Sequence, residues 1–267
     1  MTTMTSASTE IGAEQIAQFR REGFLHVPGV LRDDEVRWLR RWCEAQFDLP
    51  VPHRLPGNDD HQIQMVFDRH PEVRFMLFQQ RTLAVLRALL GGDFVVLPEM
   101  SVHRQLFGGW HKDTTSQESM GHRFQWEPDY LMCEVAWYLQ DNTDAYAGGL
   151  DVEPGSHRRP DPFLDPRHRQ PDGSPVGPEW HSVLNRAGDL VVFDFRVNHR
   201  ATQPDIAPDA IPAENRKFAF FVGVSANTPH VAHYVEYQRS NPTYGSWSRA
   251  WGGPFALEAS RHGVRLG

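Results

Sequence analysis

The sequence predicts a mainly β fold with flanking helices, and three observations support this. From Phe94 onward, short apolar or alternating runs are separated by Gly, Pro and Asp, a pattern typical of a β-sandwich or barrel. These runs do not alternate with helical segments, so a doubly wound parallel sheet is not indicated. The first third of the chain instead spaces its apolar residues as helices do.

The N-terminal third predicts short helices around one strand. Val36, Leu39 and Cys43 follow helical spacing after two aspartates that can cap a helix. The predicted elements are, in order, a helix at Ala13–Phe19 ended by Gly23, a strand at Phe24–Val27, a helix capped by Asp33 or Asp34, and a helix capped by Thr82 and ended by Gly91.

The rest of the chain predicts strands that form one β domain. The predicted strands are Phe94–Leu97, Ser101–Phe107, Leu131–Leu139, Leu150–Val152, Ser182–Leu184, Leu190–Phe195 and Phe218–Ser225. We predict a single domain over residues 1–267, with a disordered start at 1–12 and a β-barrel core at 94–225. Two long polar insertions, 114–129 and 158–179, are candidate lid loops, because long loops in a compact domain are usually functional or disordered.

Composition excludes several classes of function. The formal net charge of −7 argues against a nucleic-acid partner, which usually requires a basic surface. No apolar run approaches the roughly 20 residues of a membrane-spanning helix, and the first residues do not resemble a signal peptide. The two cysteines fit no disulfide framework. The sequence therefore predicts a cytoplasmic protein that has no membrane or nucleic-acid partner.

Three residues could together bind a metal ion. In GGWHKD (Gly108–Asp113), His111 and Asp113 are two positions apart and would project from the same face of a strand. A third ligand is available in AGDLVVFDFRVNHRA (Ala187–Ala201), where His199 follows an apolar strand. Two histidines and one carboxylate are the facial triad of non-haem Fe(II) oxygenases. Zn(II) accepts the same ligands, so these residues alone leave the metal open.

Other candidates could contact an anionic co-substrate or the substrate. Arg216, in ENRKFAFFVGV, begins an apolar strand and could form a bidentate pair with a carboxylate inside a barrel; a surface ion pair is the alternative. The candidate substrate walls are aromatic residues beside the ligands or in the first insertion, for which core packing is the alternative: Phe107, Trp110, Phe124 and Trp126.

From about Ile16 to Val224, the chain resembles the phytanoyl-CoA dioxygenase-like family of Fe(II)/2-oxoglutarate oxygenases. The matching segments stand in the family's order: IAQFRREGFLHVPGVL, WHKD, GGLDVEPGSHRR, GDLVVFDFRVNHRA and NRKFAFFV. Each segment alone is a weak signal, whereas five in order with plausible gaps are specific.

The resemblance implies a double-stranded β-helix (a jelly-roll, cupin-like core) with N-terminal helices packed on one sheet. It implies Fe(II) bound by His111, Asp113 and His199, and 2-oxoglutarate that chelates the iron and pairs with Arg216. It also implies O₂-dependent oxidation of a small molecule of specialised metabolism, with succinate and CO₂ as co-products. Halogenating 2-oxoglutarate enzymes lack the carboxylate ligand, so Asp113 favours hydroxylation of an unactivated C–H bond.

The gap between His199 and Arg216 is longer than is usual for the family. Arg200 is an alternative, although neighbours in a strand face opposite ways. Two other functions are compatible with the residues. One is a Zn(II)- or Mn(II)-binding jelly-roll hydrolase or isomerase, which needs neither Arg216 nor O₂. The other is a catalytically silent metal-binding module.

Overall fold

The structure is a computed structural model that describes residues 11–49, 61–159, 167, 169–176, 179–241 and 251–267. Residues 1–10 of the segment predicted to be disordered lie outside this part of the chain. Part of the 158–179 insertion also lies outside it, so the lid expected there stays a prediction.

The predicted helices and strands occur in the predicted order, with further short elements between and after them. The helices are α1 (Ala13–Glu22), α2 (Asp33–Phe47), α3 (Val66–Arg69), α4 (Phe75–Phe78), α5 (Gln80–Leu90), α6 (Thr115–Ser119), α7 (His230–Ser240) and α8 (Gly253–Arg261). The strands are β1 (Phe24–Val27), β2 (Gln62–Gln64), β3 (Val95–Arg104), β4 (Met132–Tyr138), β5 (Leu150–Val152), β6 (His181–Ser182), β7 (Leu190–Asp194), β8 (His199–Ala201), β9 (Phe218–Ser225) and β10 (Arg265–Leu266).

The described strands form two sheets. The larger sheet has the order β1-β7-β4-β9-β3-β10, and β2 also pairs with β3. The smaller sheet has the order β6-β5-β8. All strand pairs are antiparallel except β10 with β3. This arrangement of mainly antiparallel sheets with helices is the predicted fold class.

The two faces of the larger sheet have different neighbours. Because side chains alternate along a strand, β9 directs Phe218, Phe220 and Val222 into the core shared with the helices. Ala219 and Phe221 point the other way and pack with residues of the smaller sheet. Every second side chain of β3, β4, β7 and β9 therefore points into the space between the two sheets.

Three local predictions were wrong. Neither Asp33 nor Asp34 caps α2, because the helix begins at Asp33 and Arg32 stands at the N-cap. Thr82 does not cap its helix: α5 begins at Gln80, and the Thr82 hydroxyl, inside the helix, donates to the Met76 carbonyl oxygen at 2.8 Å. The two runs predicted at Phe94–Leu97 and Ser101–Phe107 form one strand, β3, that contains Pro98. The pairing of β3 with β9 is irregular around this point, which accommodates a residue that cannot donate to the ladder.

The first predicted lid segment, 114–129, contains ordered structure. It includes α6 and a short 3-10 helix at Phe124–Trp126. The segment contacts α7, since the Tyr237 hydroxyl lies 3.0 Å from Ser116 Oγ and the His122 ring packs edge-on against Tyr237. A lid function for this segment stays a prediction. Within the part of the chain that the structure describes, no helix is both long and apolar enough to cross a bilayer.

Candidate metal centre

The backbone holds His111 and His199 side by side. The His111 amide donates to the His199 carbonyl oxygen at 2.8 Å, and the His199 amide donates to the His111 carbonyl oxygen at 2.9 Å. His111 thus forms an antiparallel bridge at the first residue of β8, and the two imidazole rings lie 4.3 Å apart. A segment far from β8 in sequence therefore brings its histidine to the end of the smaller sheet.

Hydrogen bonds orient both rings toward Asp113. His111 Nδ1 lies 2.8 Å from the Gly109 carbonyl oxygen, and His199 Nδ1 lies 3.0 Å from the Val197 carbonyl oxygen. Because a carbonyl only accepts, each Nδ1 carries the proton and each Nε2 keeps a free lone pair. Asp113 Oδ1 lies 3.5 Å from His111 Nε2 and 3.7 Å from His199 Nε2.

This donor set fits a divalent metal ion. One donor atom from each of His111, Asp113 and His199 falls within a mutual distance of 4.8 Å. Asp113 Oδ2 is buried and has no hydrogen-bond partner among the described residues, which is costly unless a cation is bound. Two imidazoles and one carboxylate leave further coordination positions, as non-haem iron oxygenases require.

The acid–base state of His199 also suits metal binding. Burial lowers the pKa of His199 to about 4, although the Asp113 carboxylate opposes this. Burial also acts to lower the pKa of His111, but the interaction with Asp113 outweighs it and the pKa is raised. His199 is therefore neutral at pH 7, the form in which imidazole binds metals.

Lys112, between two of these residues, points away as the alternation of the chain predicts. Its side chain is buried, and Nζ donates to the Ser156 and Arg159 carbonyl oxygens at 3.3 Å each. The GGWHKD segment is thus held on one side by the backbone bridge of His111 to His199 and on the other by the hydrogen bonds of Lys112.

A cavity of about 220 Å³ between the two sheets contains the three candidate ligands. Its wall includes apolar residues such as Phe193 and Phe221 and a set of polar side chains. The polar side chains outside the triad are Gln62, Gln64, Glu99, Ser101, His103, Glu134, Tyr138 and Lys217. A second cavity of about 320 Å³, beneath α6 and α7, shares His111, Asp113 and Glu99 with it.

The structure corrects the position expected for Arg216. Its guanidinium lies outside the barrel, 3.4 Å from the carboxylate of Glu44 on α2, and the side chain is 41% exposed. The next residue, Lys217, lines the cavity instead and is 3% exposed. Arg216 precedes β9 and lies two and four positions before Phe218 and Phe220, which face the helices. Because side chains alternate between the two faces of a strand, Lys217 points into the barrel.

Lys217 is held by its own neighbours. Its Nζ donates to the Leu106 carbonyl oxygen at 2.9 Å and lies 5.2 Å from the centre of the Phe107 ring. Burial lowers the pKa of Lys217 to about 7, partly offset by Asp151. An amine with a pKa near 7 is partly neutral at pH 7, and an anion bound beside it favours the protonated form.

The aromatic residues predicted as substrate walls lie outside the set of cavity-lining residues. Phe107 packs beneath the Lys217 amine, and Trp110 packs against Trp180 and Arg200. Phe124 contacts the rings of Tyr130, His230 and His233. Trp126 donates to Glu118 Oε1 at 3.1 Å and lies beneath the Lys112 amine. The short helices of the 114–129 segment turn its aromatics toward α7 and Lys112 rather than toward the triad.

Sequence reasoning missed Lys217, Glu99, Glu134 and Tyr138, which all line the cavity. The two glutamates carried a usable signal. Each is a single acidic residue inside an apolar strand, and such residues are rare unless they have a partner or a function.

Comparison with known proteins identifies similar chains. A family model described as phytanoyl-CoA dioxygenase matches residues 19–204. An ectoine dioxygenase from Stutzerimonas stutzeri (strain A1501) is 27% identical over 159 residues, which cover 55% of this chain and 51% of the relative. The chain thus aligns with about half the length of this curated relative.

Solved structures share the fold at low identity. EctD from S. alaskensis, crystallised with 2-oxoglutarate and 5-hydroxyectoine, is 20% identical with a TM-score of 0.60 and covers 83% of this chain and 78% of its own. HygX from Streptomyces hygroscopicus, with nickel and 2-oxoglutarate bound, is 17% identical with a TM-score of 0.62. The match covers 81% of this chain and 88% of HygX. These neighbours confirm the predicted cupin-like, double-stranded β-helix fold.

Proposed function

The chain belongs to the phytanoyl-CoA dioxygenase family, and from that premise we propose that it hydroxylates an unactivated C–H bond of a small molecule. The family match, the ectoine dioxygenase relatives and the 2-oxoglutarate bound by a structural neighbour support a dioxygenase activity that uses Fe(II), 2-oxoglutarate and O₂. The observation that carries the proposal for this chain is the convergence of His111, Asp113 and His199 on one point at the wall of a cavity.

In this proposal, His111, Asp113 and His199 hold Fe(II). When bound, the iron and the keto acid supply the oxidising chemistry, with succinate and CO₂ as co-products. The bonds from the two Nδ1 atoms to backbone carbonyls keep both Nε2 atoms available, so the site is preorganised before the metal arrives. Asp113 supplies the carboxylate of the ligand set.

We assign the distal carboxylate of 2-oxoglutarate to Lys217 instead of Arg216. Among the described residues that line the cavity, Lys217 is the only lysine or arginine. Tyr138, which pairs with Ala219 two positions from Lys217, lines the same cavity, and its hydroxyl is buried without a partner among the described residues. An ammonium and a neighbouring phenol are both donors, and together they suit a carboxylate.

The affinity for 2-oxoglutarate is expected to fall as the pH rises above about 7. With a pKa of about 7, Lys217 is cationic below that pH and increasingly neutral above it. Since the dianion binds the cationic form, the dissociation constant should increase by up to about tenfold per pH unit. Calorimetric titration of the Ni(II)-loaded protein between pH 6.5 and 8.5 measures this, because bound metal keeps the ligand histidines from titrating.

The matched variant for this measurement is Lys217→Arg. A guanidinium stays charged across the whole range, so the pH dependence should disappear while 2-oxoglutarate still binds. A wild-type affinity that is flat with pH, or a dependence that persists in the arginine variant, contradicts the assignment of Lys217.

The proposed function is tested by an anaerobic titration followed by O₂. Metal-free protein receives Fe(II) and then 2-oxoglutarate, and a weak visible charge-transfer absorption is expected only when both are present. Admission of O₂ should then release succinate. A Zn(II)- or Mn(II)-dependent hydrolase or isomerase predicts neither signal, and a silent module predicts the absorption without succinate. Failure to observe the absorption at saturating metal and keto acid would overturn the proposal.

A further inference from the structure

Two carboxyl side chains enter the cavity from strands that carry no metal ligand. Glu99 lies on β3 and Glu134 on β4, and both line the cavity. The triad does not need them, since its single carboxylate comes from Asp113. Glu134 is 7% exposed and Glu99 is partly buried, so neither is a solvated surface charge.

Strand β9 separates the two glutamates by a residue that has no side chain. Glu134 pairs directly with Gly223 across the sheet. On the other side, a Cβ placed on Gly223 would lie 3.4 Å from the Cβ of Glu99. The two carboxyl groups thus arise on either side of Gly223, over which the Phe195 ring packs, with its Cζ 3.3 Å from the same Cβ position.

The two glutamates differ in their hydrogen-bond partners. Glu99 accepts a hydrogen bond from the Tyr234 hydroxyl, and Gln238 Nε2 lies 3.5 Å away. In contrast, Glu134 Oε1 is inaccessible to solvent and has no hydrogen-bond partner among the described residues. A buried carboxyl group without a partner is costly, which points to a ligand that satisfies it.

The opposite charge lies at the other end of the cavity. Lys217 and Gly223 are six residues apart, or about 20 Å along an extended strand. Strand pairing places Tyr138 beside Ala219, near Lys217, whereas Glu134 and Glu99 lie beside Gly223, farther along β9. His103, also in the wall, is neutral because burial lowers its pKa to about 3. Once the triad binds iron and Lys217 binds the keto acid, no lysine or arginine remains among the described lining residues to pair with the glutamates. Burial raises the pKa of Glu99 to about 7 and also raises that of Glu134, so a cation bound beside them would favour their ionised forms.

We propose that the substrate carries a cationic nitrogen, an ammonium or an amidinium, that binds between Glu99 and Glu134. This inference deepens the proposed function and rests on it for the reaction that follows binding. The two ends of the cavity then receive different molecules, the anionic keto acid at Lys217 and the cationic substrate at the glutamates. Because the pair fixes the substrate by its charged group, it also determines which C–H bond faces the triad.

The test compares two probes of nearly the same shape, acetamidinium and acetamide. Each is titrated calorimetrically into the anaerobic wild-type protein, both metal-free and loaded with Fe(II) and 2-oxoglutarate. We expect acetamidinium to bind at least tenfold more tightly than acetamide in both forms. Glu134→Gln and Glu99→Gln keep the side-chain shape and should each weaken acetamidinium binding at least tenfold. Glu127→Gln removes the same charge from an exposed position and should have no effect.

The outcomes separate this inference from the proposed function. Equal affinities for the two probes, including no measurable binding of either, overturn the inference, and so does a cation preference that survives in both glutamine variants. The charge-transfer absorption is read in the same samples. A missing absorption overturns the iron and 2-oxoglutarate assignment, whereas the cation preference of the metal-free protein is measured independently of it.

Discussion

Replacing Asp113 with alanine is expected to abolish both the Fe(II)- and 2-oxoglutarate-dependent absorption and the release of succinate. Asp113 Oδ1 lies within 3.7 Å of both histidine Nε2 atoms and supplies the negative charge of the donor set. Outer partners of metal ligands are typically worth 10- to 100-fold in metal affinity. Loss of a ligand itself should therefore weaken Fe(II) binding by more than about 100-fold, as measured by anaerobic titration.

The matched control is Asp144→Ala, which removes the same charge from an exposed position. It should retain the absorption and succinate release of the wild-type protein. The metal-free thermal midpoints of both variants should stay close to that of the wild type, because in the absence of metal Asp113 Oδ2 is buried without a partner. An Asp113→Ala protein that still couples Fe(II), 2-oxoglutarate and O₂ would remove Asp113 from the site.

The candidate ligands could be predicted because their signals are local. His111 and Asp113 are two positions apart, so an extended backbone directs both to one side. His199 follows an apolar strand, which places it at the end of a sheet. What the sequence left out is how the two segments meet, since the bridge between His111 and His199 is a long-range backbone contact. The ordered family segments supplied that information by resemblance.

The inward face of β9 could not be predicted in the same way. Its residues are apolar on both faces, because Phe218, Phe220 and Val222 pack against helices while Ala219 and Phe221 face the smaller sheet. A strand buried on both sides has no alternation of polar and apolar residues to fix its phase. The choice between Arg216 and Lys217 therefore depended on tertiary packing, above all on the contact of Arg216 with Glu44.

The second large effect is expected from Lys217→Met, which should weaken 2-oxoglutarate binding by at least about 30-fold. Truncating one partner of a buried charge pair typically costs about 2–5 kcal/mol, and 30-fold lies at the lower end of that range. The dissociation constant is measured from the charge-transfer absorption of the anaerobic Fe(II) protein. Fe(II) binding itself should change little, because the ligands come from β8 and the 111–113 segment.

Arg216→Met is the matched comparison, since it removes a cation from the adjacent position. The Arg216–Glu44 pair is exposed, with side chains 41% and 35% accessible, and such pairs contribute about 0–1 kcal/mol. Its 2-oxoglutarate affinity should therefore stay within about threefold of the wild type. The reverse result, a large loss in Arg216→Met and none in Lys217→Met, would mean that β9 enters the barrel with the opposite phase. Glu134, which pairs with Gly223 on the same strand, would then also leave the cavity, so this pair of variants tests the keto-acid site and the cation site together.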